Sequence, residues 1–383
     1  MHIHFTPEEL AARRGETLGR MAAAGLDALL IFRQESMYYL TGYDTFGYVY
    51  FQCLVLGADG RMVLLTRAPD LRQARFTSVI EDVRIWRDAG DADPVAALKH
   101  ILEELGLAGK RLGVEWNAYG IIPSTGRALD AALDGFAPLT DACDLVSRQR
   151  LMKSPAEIAY VQRAAELADA AWEQAMALAV PGAFEGDILA AMHGAIFAGG
   201  GDDPANEFII GSGPGALMCR YFTGRRHLAD NDQLTLEWAG TYRHYHAAMM
   251  RTIVVGEASA RHVELHARAR DALLACEDAL RPGAALGEVF DAHASVLDAA
   301  GLADHRLNAC GYSQGTTFAP NWMDWPMLYH GNRIEAAPGM VFFLHMILFD
   351  SDRGVAATLG RTSLVGERGS EPLSDASLDL VVN

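Results

Sequence analysis

The chain has 383 residues, half of them apolar and 21% charged, with a formal net charge of −17. That length exceeds one ordinary core and suits two domains, of about 150 and about 230 residues. The acidic balance argues against nucleic acid, whose binding rests on basic patches, and no apolar run reaches the roughly 18–20 residues that span a bilayer.

The opening MHIHFTPEEL carries acidic residues where a secretory leader needs a basic and then an apolar stretch, so a cytoplasmic protein is expected. Residues 7–25 have helix-forming composition and end at Gly25. LDALLIF (26–32) reads as a buried strand and ESMYYLTGY (35–43) as a short helix ending at Gly42. FQCLVLG (51–57) and RMVLLT (61–66), joined by Ala-Asp-Gly, predict a β-hairpin. A helix over 95–105, a strand over 111–115 and a helix over 123–133 follow, so residues 1–145 form an α/β domain.

A second domain, 146–383, begins with a long amphipathic helix. Its start is marked by Ser154 as N-cap, Pro155 in the first turn and Glu157 three residues after the cap. Helices are expected over 185–198, 259–280 and 285–300, with strands over 206–212, 232–240, 242–254, 340–349 and 355–366. The segment Pro181-Gly182-Ala183 recurs as Pro282-Gly283-Ala284, each copy between two helices. The repeat predicts a pseudo-symmetric unit with a site between its halves; the plainer alternative is that Pro-Gly stops one helix and starts the next. The five cysteines are widely spaced and form no CxxC or Cys/His cluster, so neither a disulfide framework nor a zinc knuckle is expected.

Eight landmarks lie along the chain: LTGYD (40–44), RLMKSPAEI (150–158), the first PGA segment (181–183), IIGSGPGA (209–216), LTLEWAGTYRHYHAAMMRT (234–252), the second PGA segment (282–284), PGMVFFLH (338–345) and LGRTSLV (359–365). By these the chain resembles the creatinase/prolidase superfamily over nearly its whole length. The resemblance implies an α/β (α+β) fold class, with a creatinase-like N-terminal domain and a pseudo-symmetric "pita-bread" catalytic domain. Peptidases of that superfamily hold two metal ions on two Asp, one His and two Glu. The matching positions here are Glu237, Ala248, Tyr312, His345 and Gly360. One carboxylate of five remains, and a hard dinuclear site cannot be rebuilt from it. No metal or other cofactor is therefore expected.

Creatinases are metal-free members, but the stronger resemblance is to ectoine hydrolases. It rests on LEWAGTYRHYHAAMMRT (236–252), GYSQGTTFAPNW (311–322) and MVFFLHMILF (340–349). It implies that Glu237 attacks the amidine carbon of a cyclic substrate. The chain departs from those enzymes at the basic Arg361 and along WMDWPMLYHGN (322–332), which leaves the ring to be hydrolysed open.

Read as chemistry, Glu237 on an apolar strand is a nucleophile or a base activating water; the alternative is a structural carboxylate paired with Arg251 or Arg243. His246 and His345 are candidate acid/base groups, and Tyr312 a donor to a developing oxyanion or a core filler. His244 and His246, spaced i and i+2, would share a strand face. With Glu237 and His345 they form, as a second reading, the donors of a mononuclear zinc or iron site in an Xaa-Pro peptidase-like enzyme. A ligand-binding homologue without turnover is a third reading. Arg220, Arg251 and Arg361 suit a carboxylate-bearing or zwitterionic small molecule, and Trp322 and Trp325 an aromatic wall. The resemblance further implies a homodimer in which Tyr43, Phe51 and Arg67 approach the other subunit's site. No nucleic-acid or membrane partner is expected.

Overall fold

A computed structural model describes residues 2–220 and 224–383. The chain divides into two compact units, Met1–Arg150 and Leu151–Asn383. The first contains helices α1 (Pro7–Ala23), α2 (Gln34–Thr41), α3 (Leu71–Thr77), α4 (Pro94–Glu104), α5 (Pro123–Leu133) and α6 (Cys143–Arg150). Its strands are β1 (Ala28–Ile31), β2 (Cys53–Gly57), β3 (Met62–Arg67), β4 (Asp82–Trp86), β5 (Leu112–Val114) and β6 (Leu139–Asp141). They form one sheet in the order β4-β3-β2-β1-β5-β6, with β2 antiparallel to both of its neighbours and the other pairs parallel. Central β1 sends Ala28 and Leu30 to one apolar cluster and Leu29 and Ile31 to another, which is why LDALLIF is apolar throughout. Helix α6 joins this unit through a Thr17 hydroxyl that donates to Gln149 at 2.7 Å, so the unit extends to Arg150.

The second unit opens with α7 (Pro155–Leu178), whose Ser154 and Glu157 form a reciprocal capping box. Then come α8 (Glu185–Ala198), β7 (Ile209–Ser212), β8 (Asp232–Tyr242), β9 (Tyr245–Val255), α9 (Ala260–Ala279) and α10 (Leu286–Ala299). Strands β10 (Gly311–Ser313), β11 (Asp324–Met327), β12 (Val341–Asp350), β13 (Val355–Val365), β14 (Ser370–Pro372) and β15 (Val381–Val382) complete it. Among the described residues these nine strands make one sheet along the path β11-β10-β12-β13-β9-β8-β7, with β14 on β13 and β15 on β9.

Helix α7 lies against β8 and β9, and α9 against β12 and β13. The close approach of α7 depends on small residues: a Cβ at Gly240 would stand 1.9 Å from the Ala164 carbonyl oxygen. Beside it the Trp238 indole donates to the Ala168 carbonyl and stacks on Trp172.

The two Pro-Gly-Ala copies occupy equivalent places, between α7 and α8 and between α9 and α10. Gly182 donates to the Leu228 carbonyl while Leu228 donates to that of Ala183; Gly283 and Ala336 repeat the exchange around Ala284. Each glycine has φ near +80° (80° and 83°), a conformation an L side chain resists. The repeat therefore marks a turn built twice with the same bonds, beyond a simple helix stop.

The β8–β9 hairpin turns through Arg243 and His244, both at positive φ (51° and 65°), the sense of a type I′ connection. His244 thus sits in the turn and stacks on Phe318, with ring centroids 4.2 Å apart. The expected sharing of a strand face by His244 and His246 does not occur, because β9 starts only at Tyr245.

Candidate active site

Strand register brings the central groups together. Glu237 on β8 pairs with Met250 on β9, Met250 with Gly360 on β13, and Gly360 with His345 on β12. Residues level across a sheet point to the same face, so Glu237 and His345 share one. Tyr312 on β10 pairs with Phe343, two residues from His345, and its ring lies 5.6 Å from that of His345. These three side chains line a cavity of about 120 Å³ with Arg220, Cys219, Asn206, Asn321, Trp322 and Met323, closed by Ile209, Leu307, Ala309, Met327 and Ile347.

Glu237 is buried, and desolvation pushes its carboxyl up to about 7; Arg220 and the Tyr312 hydroxyl pull the other way. Tyr312 donates to Glu237 Oε1 at 3.3 Å and accepts from the Trp322 indole at 2.9 Å. Burial holds the His345 imidazole down to about 3, with His293 and Arg220 adding repulsion, so it is neutral at physiological pH. Its Nδ1 is buried without a hydrogen-bond partner among the described residues. At the mouth, exposed Arg220 reaches the Met323 sulfur at 3.6 Å. The cavity thus offers one carboxyl able to hold or release a proton near neutrality, a neutral imidazole, a phenol and a rim cation.

The model of metallopeptidase family M24 matches residues 159–367, and that of the creatinase/prolidase N-terminal domain matches residues 13–152. The chain belongs to metallopeptidase family M24. As a member of that family it is a hydrolase of C–N bonds. An ectoine hydrolase of Halomonas elongata is 28% identical over 403 residues, covering 99% of this chain and 98% of that one. An uncharacterised hydrolase/peptidase of Sinorhizobium fredii is 27% identical over 392 residues, with 99% of each chain covered. The crystal structure of dipeptidase PepE from Mycobacterium ulcerans superposes with a TM-score of 0.85 at 26% identity over 99% of both chains.

M24 metallopeptidases imply a metal pair, and the donors present here do not fit one. Of the five matched positions, Ala248 and Gly360 have no donor atom and Tyr312 has a neutral phenol. At Gly360 even a Cβ would stand 2.9 Å from the Phe343 ring and 2.7 Å from the Leu344 carbonyl oxygen, so no carboxylate can project there. Among the described residues no group of three or more His, Cys, Asp or Glu is placed to hold a metal ion.

The M24 cavity takes in Glu237, Tyr312, His345, Arg220 and Trp322 and leaves out, among the other residues singled out from the sequence, His246, Arg251, Arg361 and Trp325. His246 is fully buried beside it, its Nε2 accepting from the Ala205 amide and its Nδ1 bonded to the Thr317 hydroxyl. Arg251 lies one residue past Met250, so alternation turns it to the helix-covered face, where it lies over Trp172 and donates to the Gly360 carbonyl. Arg361, one past Gly360, is held on that face by two 2.8 Å bonds to Glu277 of α9. Trp325 on β11 packs against the core under α9 and α10. Cys219, Asn206 and Asn321 line the cavity without having been singled out, since a lone Cys or Asn in a loop carries no local pattern.

Proposed function

We propose that the chain hydrolyses a C–N bond of a small amidine or amide metabolite without a metal ion, with Glu237 carrying the proton transfers. The observation that carries this reading is a buried carboxyl near pKa 7 in a cavity whose other matched positions cannot complete a metal site. Ionised Glu237 takes a proton from water as the oxygen adds to the amidine or amide carbon. It then returns that proton to the departing nitrogen as the C–N bond breaks. Neutral His345 orients the adduct, Tyr312 holds Glu237 through its hydroxyl, and Arg220 at the mouth suits a substrate carboxylate. The relative named as an ectoine hydrolase supports a cyclic amidine as the first substrate to test. Full turnover of ectoine, creatine-like compounds or amides after exhaustive chelation is the expected result. Activity that vanishes with chelator and returns with Mn²⁺ or Zn²⁺ would overturn the reading.

A dipeptidase is the second reading, favoured by the full-length match to PepE; the same assays with prolyl and other dipeptides separate the two. We also propose a cytoplasmic homodimer. All five cysteines are free thiols, as in a reducing compartment. In the first unit Phe46, Val49, Tyr50, Tyr119 and Ile122 stand exposed. Their two segments adjoin where a Cβ at Gly120 would meet the Tyr48 carbonyl oxygen at 2.8 Å, forming an apolar surface suited to a second copy.

A further inference from the structure

We infer that Trp322 is a positioning residue: its indole N–H sets the direction of the Tyr312–Glu237 hydrogen bond and so makes Oε2 of Glu237 the oxygen that meets substrate. The inference rests on the assignment of Glu237 above. An indole nitrogen donates and never accepts. The 2.9 Å contact between Trp322 Nε1 and the Tyr312 oxygen therefore has one sense, with the phenol accepting. Tyr312 has a single proton left to give, and its other polar contact among the described residues is Glu237 Oε1 at 3.3 Å. A proton on Oε1 would take from the phenol hydrogen the acceptor it has among the described residues, with the Phe343 ring edge-to-face against the phenol ring. Whether Glu237 is ionised or neutral, Oε1 is thus kept as an acceptor, and the proton that comes and goes sits on Oε2.

Trp322 is itself held in place. It is 1% exposed, its backbone N–H donates to the Asn206 side chain at 3.1 Å, and its ring lies against Phe208. Two links of the relay are fixed before substrate arrives, as pre-organised sites require. Because the relay donates toward the carboxylate, it lowers the proton affinity of Glu237 against the effect of burial.

The test is a double-mutant cycle of Trp322→Phe and Tyr312→Phe, read in two ways. With ectoine as probe substrate, Trp322→Phe is expected to move the acid limb of kcat/KM up by about half a pH unit or more. The accompanying fall at pH 6.5 is about two- to threefold, as a half-unit rise from about 7 requires. In the Tyr312→Phe background the same change should leave the limb where it is. Independently of turnover, ¹³C NMR titration of labelled glutamate carboxyls, with the Glu237 signal identified by Glu237→Gln, should show the same rise in Trp322→Phe alone. A Glu237 titration unmoved in Trp322→Phe, or moved equally with Tyr312 absent, overturns the inference. Full activity in Glu237→Gln defeats the catalytic reading and leaves the NMR test of the relay standing.

Discussion

At the scale of single residues, the proton affinity of Glu237 has consequences for activity and for stability. Glu237→Gln keeps the shape and removes the titrating proton, so kcat is expected to fall about 10²- to 10⁴-fold, with the folded circular dichroism spectrum retained. The stability effect has the opposite sign. A carboxyl raised from 4.5 to about 7 binds its proton more tightly in the folded chain than in the unfolded one. Folding is therefore favoured below pH 4.5, and that advantage is lost as pH rises through 7, at a cost of about 3 kcal/mol. Urea titrations should show Glu237→Gln gaining on the parent between pH 5 and pH 8. A variant that loses stability equally at both values would place Glu237 in a structural ion pair.

At the scale of elements, His246 acts through the loops around it. Its two ring nitrogens tie Ala205, in the approach to β7, to Thr317, in the loop after β10. The neighbours Asn206 and Trp322 line the cavity, so one buried imidazole sets the spacing of two cavity walls. His246→Ala leaves the Ala205 amide without its acceptor, a loss of about 1–3 kcal/mol by chemical denaturation. Activity should fall through looser positioning, with the acid limb of the pH profile unmoved. A shifted limb would instead make His246 a proton donor or acceptor in the reaction. The Arg361–Glu277 pair similarly joins β13 to α9, so Arg361→Ala is expected to lower thermal stability with little change in KM; a large rise in KM would return Arg361 to the substrate.

At the scale of the whole molecule, pH and association matter most. Burial holds His246 and His345 down to about 3, and His266 and His293 down to about 4. The unfolded chain takes up these protons below about pH 6.5, whereas the folded chain resists them until lower pH. Stability should fall as pH drops from 6.5 toward 3. His246→Gln keeps an acceptor for Ala205 and cannot titrate, so it should flatten that slope by one proton; an unchanged slope would show that His246 protonates without unfolding. For the proposed dimer, sedimentation should give twice the chain mass of 41.5 kDa. Val49→Asp with Ile122→Asp should lower it to one chain, and an undisturbed dimer would place the interface elsewhere.

Much of this was legible along the chain, because the signals are local. Strand β1 with its apolar run, α7 with Ser154, Pro155 and Glu157, and the two Pro-Gly-Ala turns are read from neighbours within a few positions. So were the absence of ligand-bearing side chains at positions 248 and 360 and the carboxylate at 237, once the order of motifs had indicated the family. Which side chains meet was decided by register and by the sheet's two faces. Arg251 and Arg361 each stand one residue from a site position, and a period of two sends both to the helix-covered face. His244 left the strand because the hairpin turns through it, and Asn206 and Cys219 reached the cavity from loops without periodicity. The proton affinity of Glu237 is likewise a tertiary property: it depends on the water excluded by Ile209, Tyr312 and Trp322, residues far apart in sequence whose burial around one carboxyl only the folded chain creates.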